Sequence, residues 1–337
     1  MTIPEDRRIV QPFRPAWWLP GPHLQTSWSA FTRRANLVDY RREAVTLPDG
    51  DELILDHVDG TRGPRLIILH GLEGSSYAVY VQGLAARASA LGWAVTAYNF
   101  RSCARDPARP NRSLPNKSSR LYHAGETEDL NHVIELLAKR EPGRTLLASG
   151  VSLGGNAILK LLGEQGASAR LAAACTISVP YDLEACAVSL SRGVNRLYAA
   201  VFLRRLKGKV RYLADRFPAA AARVDIQRAL GSRDFIEFDE ALTAPLHGFA
   251  GAQDYYRRTS AIRYLPGIAR PVLCINAADD PFQPPAALEA ARKQVAAPVE
   301  IHVAASGGHA AFVQGSRPGA TSAWAEDSAV AWLQKFS

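Results

Sequence analysis

Short, almost wholly apolar runs alternate along this chain with longer stretches whose apolar positions recur every third or fourth residue. Arg65–Leu69 (RLIIL), Trp93–Tyr98, Thr145–Val151, Leu171–Val179, Pro271–Ala277 and Val299–Val303 are of the first kind. They are too short for helices, which predicts buried strands. Glu43–Leu47 and Glu52–Val58 flank a Pro-Asp-Gly turn at 48–50 and predict a hairpin. Val79–Leu91, Gly154–Leu162 and Ala323–Lys335 are of the second kind, as is Glu126–Lys139, where Thr127, Leu130, Val133, Ile134 and Leu137 share one face. Strands alternating with helices imply βαβ crossovers, so the expected fold class is α/β with a mainly parallel sheet of eight strands.

The alternation stops between Asp182 and Ile262, where the chain is helix-rich and strand-poor. That stretch predicts a helical lid inserted over the strand ends. The expected division is an N-terminal arm (1–40) packed on the core, a core made of 41–181 and 262–337, and a lid at 182–261. Pro15, Pro20, Gly21 and Pro22 in the arm predict no continuous helix there.

Composition narrows the class. Of 337 residues, 47% are apolar and 21% charged, as in a folded globular chain. The longest apolar run, Leu197–Leu203, is far short of the roughly 20 residues a membrane span needs. The opening MTIPEDRRIVQPF lacks the apolar stretch of a secretory signal, so a cytoplasmic location is expected. The four cysteines form no CxxC pair, no HExxH occurs, and the glycine-containing HGLEG segment lacks a P-loop lysine. No metal or organic cofactor is therefore expected.

The net charge of +8 is local: Ser191 to Arg233 carries eleven Lys/Arg against two acids. No nucleic-acid-binding motif accompanies this charge, and nucleic acid is not an expected partner. Two readings of the densest cluster, Arg204, Arg205, Lys207, Lys209 and Arg211, stay open. It is either a solvated helical face or a face that meets an anionic lipid surface.

The chemistry begins at Gly150-Val151-Ser152-Leu153-Gly154, a GxSxG between a predicted strand and a predicted helix. A nucleophilic serine needs such a sharp turn to expose its hydroxyl, and the flanking glycines relieve the crowding. A Ser, acid, His order then points down the chain. Asp279 and Asp280 follow a predicted strand. Asp280 is preferred because it opens a D-P-x-x-P-like stretch, leaving Asp279 to face solvent or cap a turn. Five of the eight histidines precede the serine, His247 lies in the lid and His302 inside a strand run. His309 follows Ser-Gly-Gly in a loop after the last predicted strand and is the candidate base. Backbone N–H groups of Leu153 and of Leu72, in the loop His70–Gly74, are the candidate oxyanion donors. His70 is read as a structural partner of that loop.

These residues resemble the YheT-like α/β-hydrolases, relatives of the mammalian ABHD-type acylglycerol lipases and esterases. The resemblance runs through Pro15–Thr26 (PAWWLPGPHLQT), His70–Ser75 (HGLEGS), Tyr98–Cys103 (YNFRSC), Tyr122–Thr127 (YHAGET), Gly150–Asn156 (GVSLGGN), Asp279–Phe282 (DDPF) and Gly307–His309 (GGH). Ser102 stands where glycine is expected, and Ala310–Phe312 where a Gly-Phe ending is expected. The resemblance implies the α/β-hydrolase fold, the triad Ser152–Asp280–His309 and hydrolysis of small-molecule carboxylic esters, short-chain acyl esters or monoacylglycerols. The same triad would serve a thioesterase or an amidase, and the fold also occurs in non-catalytic binding modules.

Overall fold

The computed structural model describes residues 12–33 and 37–337. The opening residues, on which the absence of a signal sequence was read, lie mostly outside this range. Eight strands form the central sheet: β1 (Arg41–Thr46), β2 (Glu52–Val58), β3 (Arg65–Leu69), β4 (Ala94–Tyr98), β5 (Leu146–Val151), β6 (Ala173–Ile177), β7 (Val272–Ala277) and β8 (Val299–Ala304). Their spatial order is β1-β2-β4-β3-β5-β6-β7-β8, and only β2 runs against its neighbours. Every residue of β3, β4, β5, β6 and β7 is buried, as a parallel sheet covered on both faces requires. Alternate residues feed two apolar clusters: Ile67, Leu69, Ala148 and Ala174 on one face, Leu66, Ile68, Leu147 and Cys175 on the other.

Helices α2 (Val79–Ala90), α3 (Glu128–Arg140) and α4 (Leu153–Gln165) form the crossovers. The arm departs from expectation: α1 spans Pro22–Thr32. Its proline sits at the first helical position, where no N–H is needed, and none follows inside, so the Pro-rich run starts the helix instead of forbidding one. A helix at Pro285–Gln294 and a hairpin, Val313–Arg317 with Ala320–Ala323, were also not anticipated.

Residues 182–261 are helical throughout their ordered elements, led by α5 (Leu183–Leu190) and the 22-residue α6 (Asn195–Arg216). The apolar run Leu197–Leu203 lies in α6, where Ala199 and Leu203 are buried while Leu197 and Val201 are exposed. No helix among the described residues is long and apolar enough to cross a membrane.

Candidate active site

The parallel strands end along one edge, and each candidate residue leaves the sheet there. Val151 of β5 pairs with Ile177 of β6, and Ser152 follows at once. Ser152 has φ 54° and ψ −121°, left-handed backbone that is strained for a residue with a side chain. The glycines make the turn sterically feasible. A Cβ on Gly150 would lie 2.6 Å from the Gly154 carbonyl carbon, and one on Gly154 2.6 Å from the Leu69 oxygen.

Ser152 Oγ lies 3.0 Å from His309 Nε2, and His309 Nδ1 lies 2.8 Å from Asp280 Oδ2. A carboxylate only accepts, so Nδ1 carries the imidazole proton and Nε2 accepts from the serine hydroxyl. The Asp280 side chain is fully buried, and its Oδ1 accepts from the Phe282 N–H at 2.9 Å. Asp279 is half-buried, and its carboxylate turns to the backbone of another loop and not to the turn that follows it. Its Oδ1 accepts from the Gly308 N–H at 2.9 Å, so it holds the loop that carries His309. Burial raises the pKa of its carboxyl.

The loop after β3 crosses over the serine: a Cβ on Gly71 would lie 3.2 Å from Ser152 Cβ. Gly71 N–H donates to Tyr80 Oη at 3.0 Å, Glu73 N–H to Tyr122 Oη at 2.9 Å and Gly74 N–H to Gly71 O at 3.0 Å. Of these four residues, Leu72 alone keeps an N–H without a partner among the described residues. Leu153 opens α4, where helix geometry also leaves the N–H free. His70 is fully buried, its Nδ1 donating to Gly71 O at 2.7 Å and its Nε2 accepting from Phe100 N–H at 3.1 Å. Burial drives its pKa down to about 3, which keeps it neutral and structural.

Several residues that support the site left no pattern in the sequence. Thr26 Oγ1, on α1, accepts from the His309 N–H at 2.9 Å and donates to Pro22 O at 2.7 Å. Gln25 meets both the N–H and the C=O of Val313, and Ser178 Oγ accepts from Ala310 N–H. The signature-like HLQT run was the only hint. The two departures from the family pattern both fall on left-handed backbone, Ser102 at φ 59° and Ala310 at φ 62°, where glycine would be unstrained. Arg101, from the YNFRSC segment, is buried and paired with Asp129 and Asp51, so it serves the fold.

The basic cluster is not one face. Lys209 is buried and Lys207 Nζ donates to Ser232 O at 2.6 Å, while Arg204, Arg205 and Arg211 are exposed. A cavity of about 800 Å³ opens onto Ser152, His309, Leu72 and Leu153. The helical stretch 182–261 lines it with Leu183, Leu190, Phe202 and Phe235, and Phe282, which follows β7, joins them. Phe31 on α1 and Leu197 on α6, both strongly exposed, stand at its rim.

A parallel sheet in this strand order, with a serine on a strained strand-to-helix turn, defines an α/β hydrolase. Residues 64–316 match the alpha/beta hydrolase fold family, and the chain belongs to it. The Escherichia coli (strain K12) protein YheT, an esterase by name, is 33% identical over 93% of this chain and 90% of its own. Phospholipase ABHD3 of Mus musculus is 31% identical over 92% of this chain and 75% of its own. Among solved structures, the alpha/beta hydrolase GrgF from Penicillium sp. sh18 superposes with a TM-score of 0.52 at 17% identity, covering 81% of this chain and 91% of that one. With such relatives, the chain is a hydrolase of the esterase and lipase type.

Proposed function

We propose that this protein is a serine carboxylesterase acting on esters with an apolar acyl chain. The observation that carries the reading is the hydrogen-bonded line Asp280–His309–Ser152 ending at an apolar cavity. Ser152 Oγ attacks the acyl carbonyl as His309 Nε2 takes its proton. Asp280 holds the imidazole orientation and stabilises the imidazolium. The Leu72 and Leu153 N–H groups receive the oxyanion. Collapse expels the alcohol, protonated by His309, and leaves the acyl-enzyme. Water, deprotonated by His309, then releases the carboxylic acid and restores Ser152. Residues 182–261 act as the lid that roofs the acyl cavity, over the core 41–181 and 262–337 and beside the described part of the arm, residues 12–33. The esterase name of YheT and the phospholipase name of ABHD3 support the substrate class.

The test is a p-nitrophenyl ester series from acetate to dodecanoate, with a thioester and an anilide matched at the best chain length. Each methylene that enters the cavity contributes about 0.8 kcal/mol, so kcat/KM should climb by up to about fourfold per methylene until the cavity is filled. The ester should exceed thioester and anilide. Preference for the thioester or anilide would reassign the leaving group, and no turnover of any ester would remove the reading.

The rim fits contact with an anionic lipid surface, through exposed Phe31 and Leu197 with Arg204, Arg205 and Arg211 nearby in the chain. Sedimentation should show stronger binding to phosphatidylglycerol than to phosphatidylcholine vesicles. Salt should weaken it, because the Debye length falls from about 10 Å at 0.1 M to about 3 Å at 1 M. Equal binding to both lipids, or to neither, would leave the rim as ordinary surface.

A further inference from the structure

We infer that Lys209 and Arg205 of α6 are positioning residues: they clamp Glu73 and thereby hold the Leu72 N–H where the oxyanion forms. The inference rests on the acyl-transfer reading above. Glu73 directly follows Leu72 and takes φ 55°, a conformation that a residue with a side chain keeps only when its surroundings enforce it. Three attachments enforce it here. The Glu73 N–H donates to Tyr122 Oη, and Tyr122 Oη donates to Glu73 Oε1 at 2.8 Å. Lys209 Nζ donates to the same Oε1 at 2.5 Å. Arg205 donates to the Glu73 carbonyl oxygen at 3.1 Å. Arg205 and Lys209 stand four residues apart on α6, so they reach the loop from one helix face.

The ion pair is buried, with side-chain exposures of 9% for Lys209 and 5% for Glu73. Lys209 Nζ also lies 4.7 Å from the Tyr122 ring centroid and 3.1 Å from Cys103 Sγ. Burial pushes the Cys103 thiol up to about 11, so it stays neutral beside the Lys209–Glu73 contact. A buried pair of this kind seldom improves stability over an apolar replacement. Its geometric consequence is more specific. It joins the helical insertion to the loop beside Ser152, in which every other N–H from Gly71 to Gly74 is committed elsewhere.

The experiment compares the wild type with the double variant Glu73→Gln/Lys209→Met and with Arg205→Ala. The double change removes both buried charges together, which avoids stranding one of them. Each protein is assayed for kcat and KM on p-nitrophenyl butyrate, for affinity towards an aliphatic trifluoromethyl ketone, and for thermal midpoint. The ketone carbonyl adds Ser152 Oγ, its proton passes to His309, and the ketone oxygen becomes an oxyanion. In the double variant, kcat and ketone affinity should both fall by about 10- to 100-fold while KM stays within about threefold. Arg205→Ala, an exposed change, should lower both by about threefold to tenfold with an unchanged thermal midpoint. A folded double variant with wild-type kcat and ketone affinity would overturn the clamp, as would a loss confined to KM. If the double variant does not fold, Arg205→Ala decides by the same criterion. A wild type that turns over no ester, or a Ser152→Ala variant that stays active, would instead overturn the underlying triad.

Discussion

Ser152→Ala is expected to lower ester turnover by about 10⁴-fold or more, by analogy with removal of a triad serine elsewhere, while the fold stays intact. The substitution isolates one atom. Alanine keeps the Cβ that already stands on left-handed backbone, so the strain of the turn is unchanged. Among the described residues the Oγ makes one hydrogen bond, to His309 Nε2 at the cavity, so its loss leaves no orphan in the core. Asp280, Phe282 and Thr26 continue to hold the His309 loop. Residual activity over water, from the oxyanion donors and binding, is the only catalysis that should remain. Initial rates on p-nitrophenyl butyrate, with circular dichroism to verify folding, check the result. A variant keeping a tenth of wild-type activity would remove Ser152 as the nucleophile.

Asp280→Asn should reduce kcat by about 10³- to 10⁴-fold, because it changes the tautomer and little else. An asparagine oxygen can still accept from the Phe282 N–H, but an amide NH₂ facing Nδ1 cannot accept its proton. The imidazole then protonates Nε2 and turns a donor toward Ser152. Asp279→Asn makes the same chemical change one residue earlier, yet should cost less than about tenfold. Its amide oxygen still accepts from Gly308 N–H, so the loop that carries His309 keeps this anchor. Side-by-side kinetics of the two variants check the order. The opposite ranking would move the acid to Asp279.

Much of this site was legible because its signals are local. A strand, a turn needing glycine on both sides of a serine, and a helix fit between Leu146 and Gln165, and the steric reason for each glycine is visible at Gly150 and Gly154. The order of acid and histidine after that serine is the order the family resemblance implies, and the parallel strands β7 and β8 bring the loops that follow them to the edge where the serine stands. The arm was less legible. Counting prolines argued against a helix, but their effect depends on position, and Pro22 occupies the one place where a helix tolerates it. The charge run misled in a similar way: summed along the sequence it suggested one basic face, whereas helical geometry sends Lys209 inward and Arg204 outward.

Short-range pattern thus determined the α/β class, the strand sequence, the serine turn and a short list of candidates for the acid and the histidine, since periodicity and turn chemistry are properties of neighbours. Only the tertiary structure decided the contacts that tune the site. Thr26 reaches His309 across 283 residues, and Lys209 reaches Glu73 across 136. A polar side chain destined for a buried partner carries no periodic mark, because its pairing depends on where two distant backbones are brought by the sheet. The choice between Asp279 and Asp280 has the same origin. Adjacent carboxylates are alike in sequence, and the fold alone turns one toward the imidazole and the other toward the backbone of the loop that carries it.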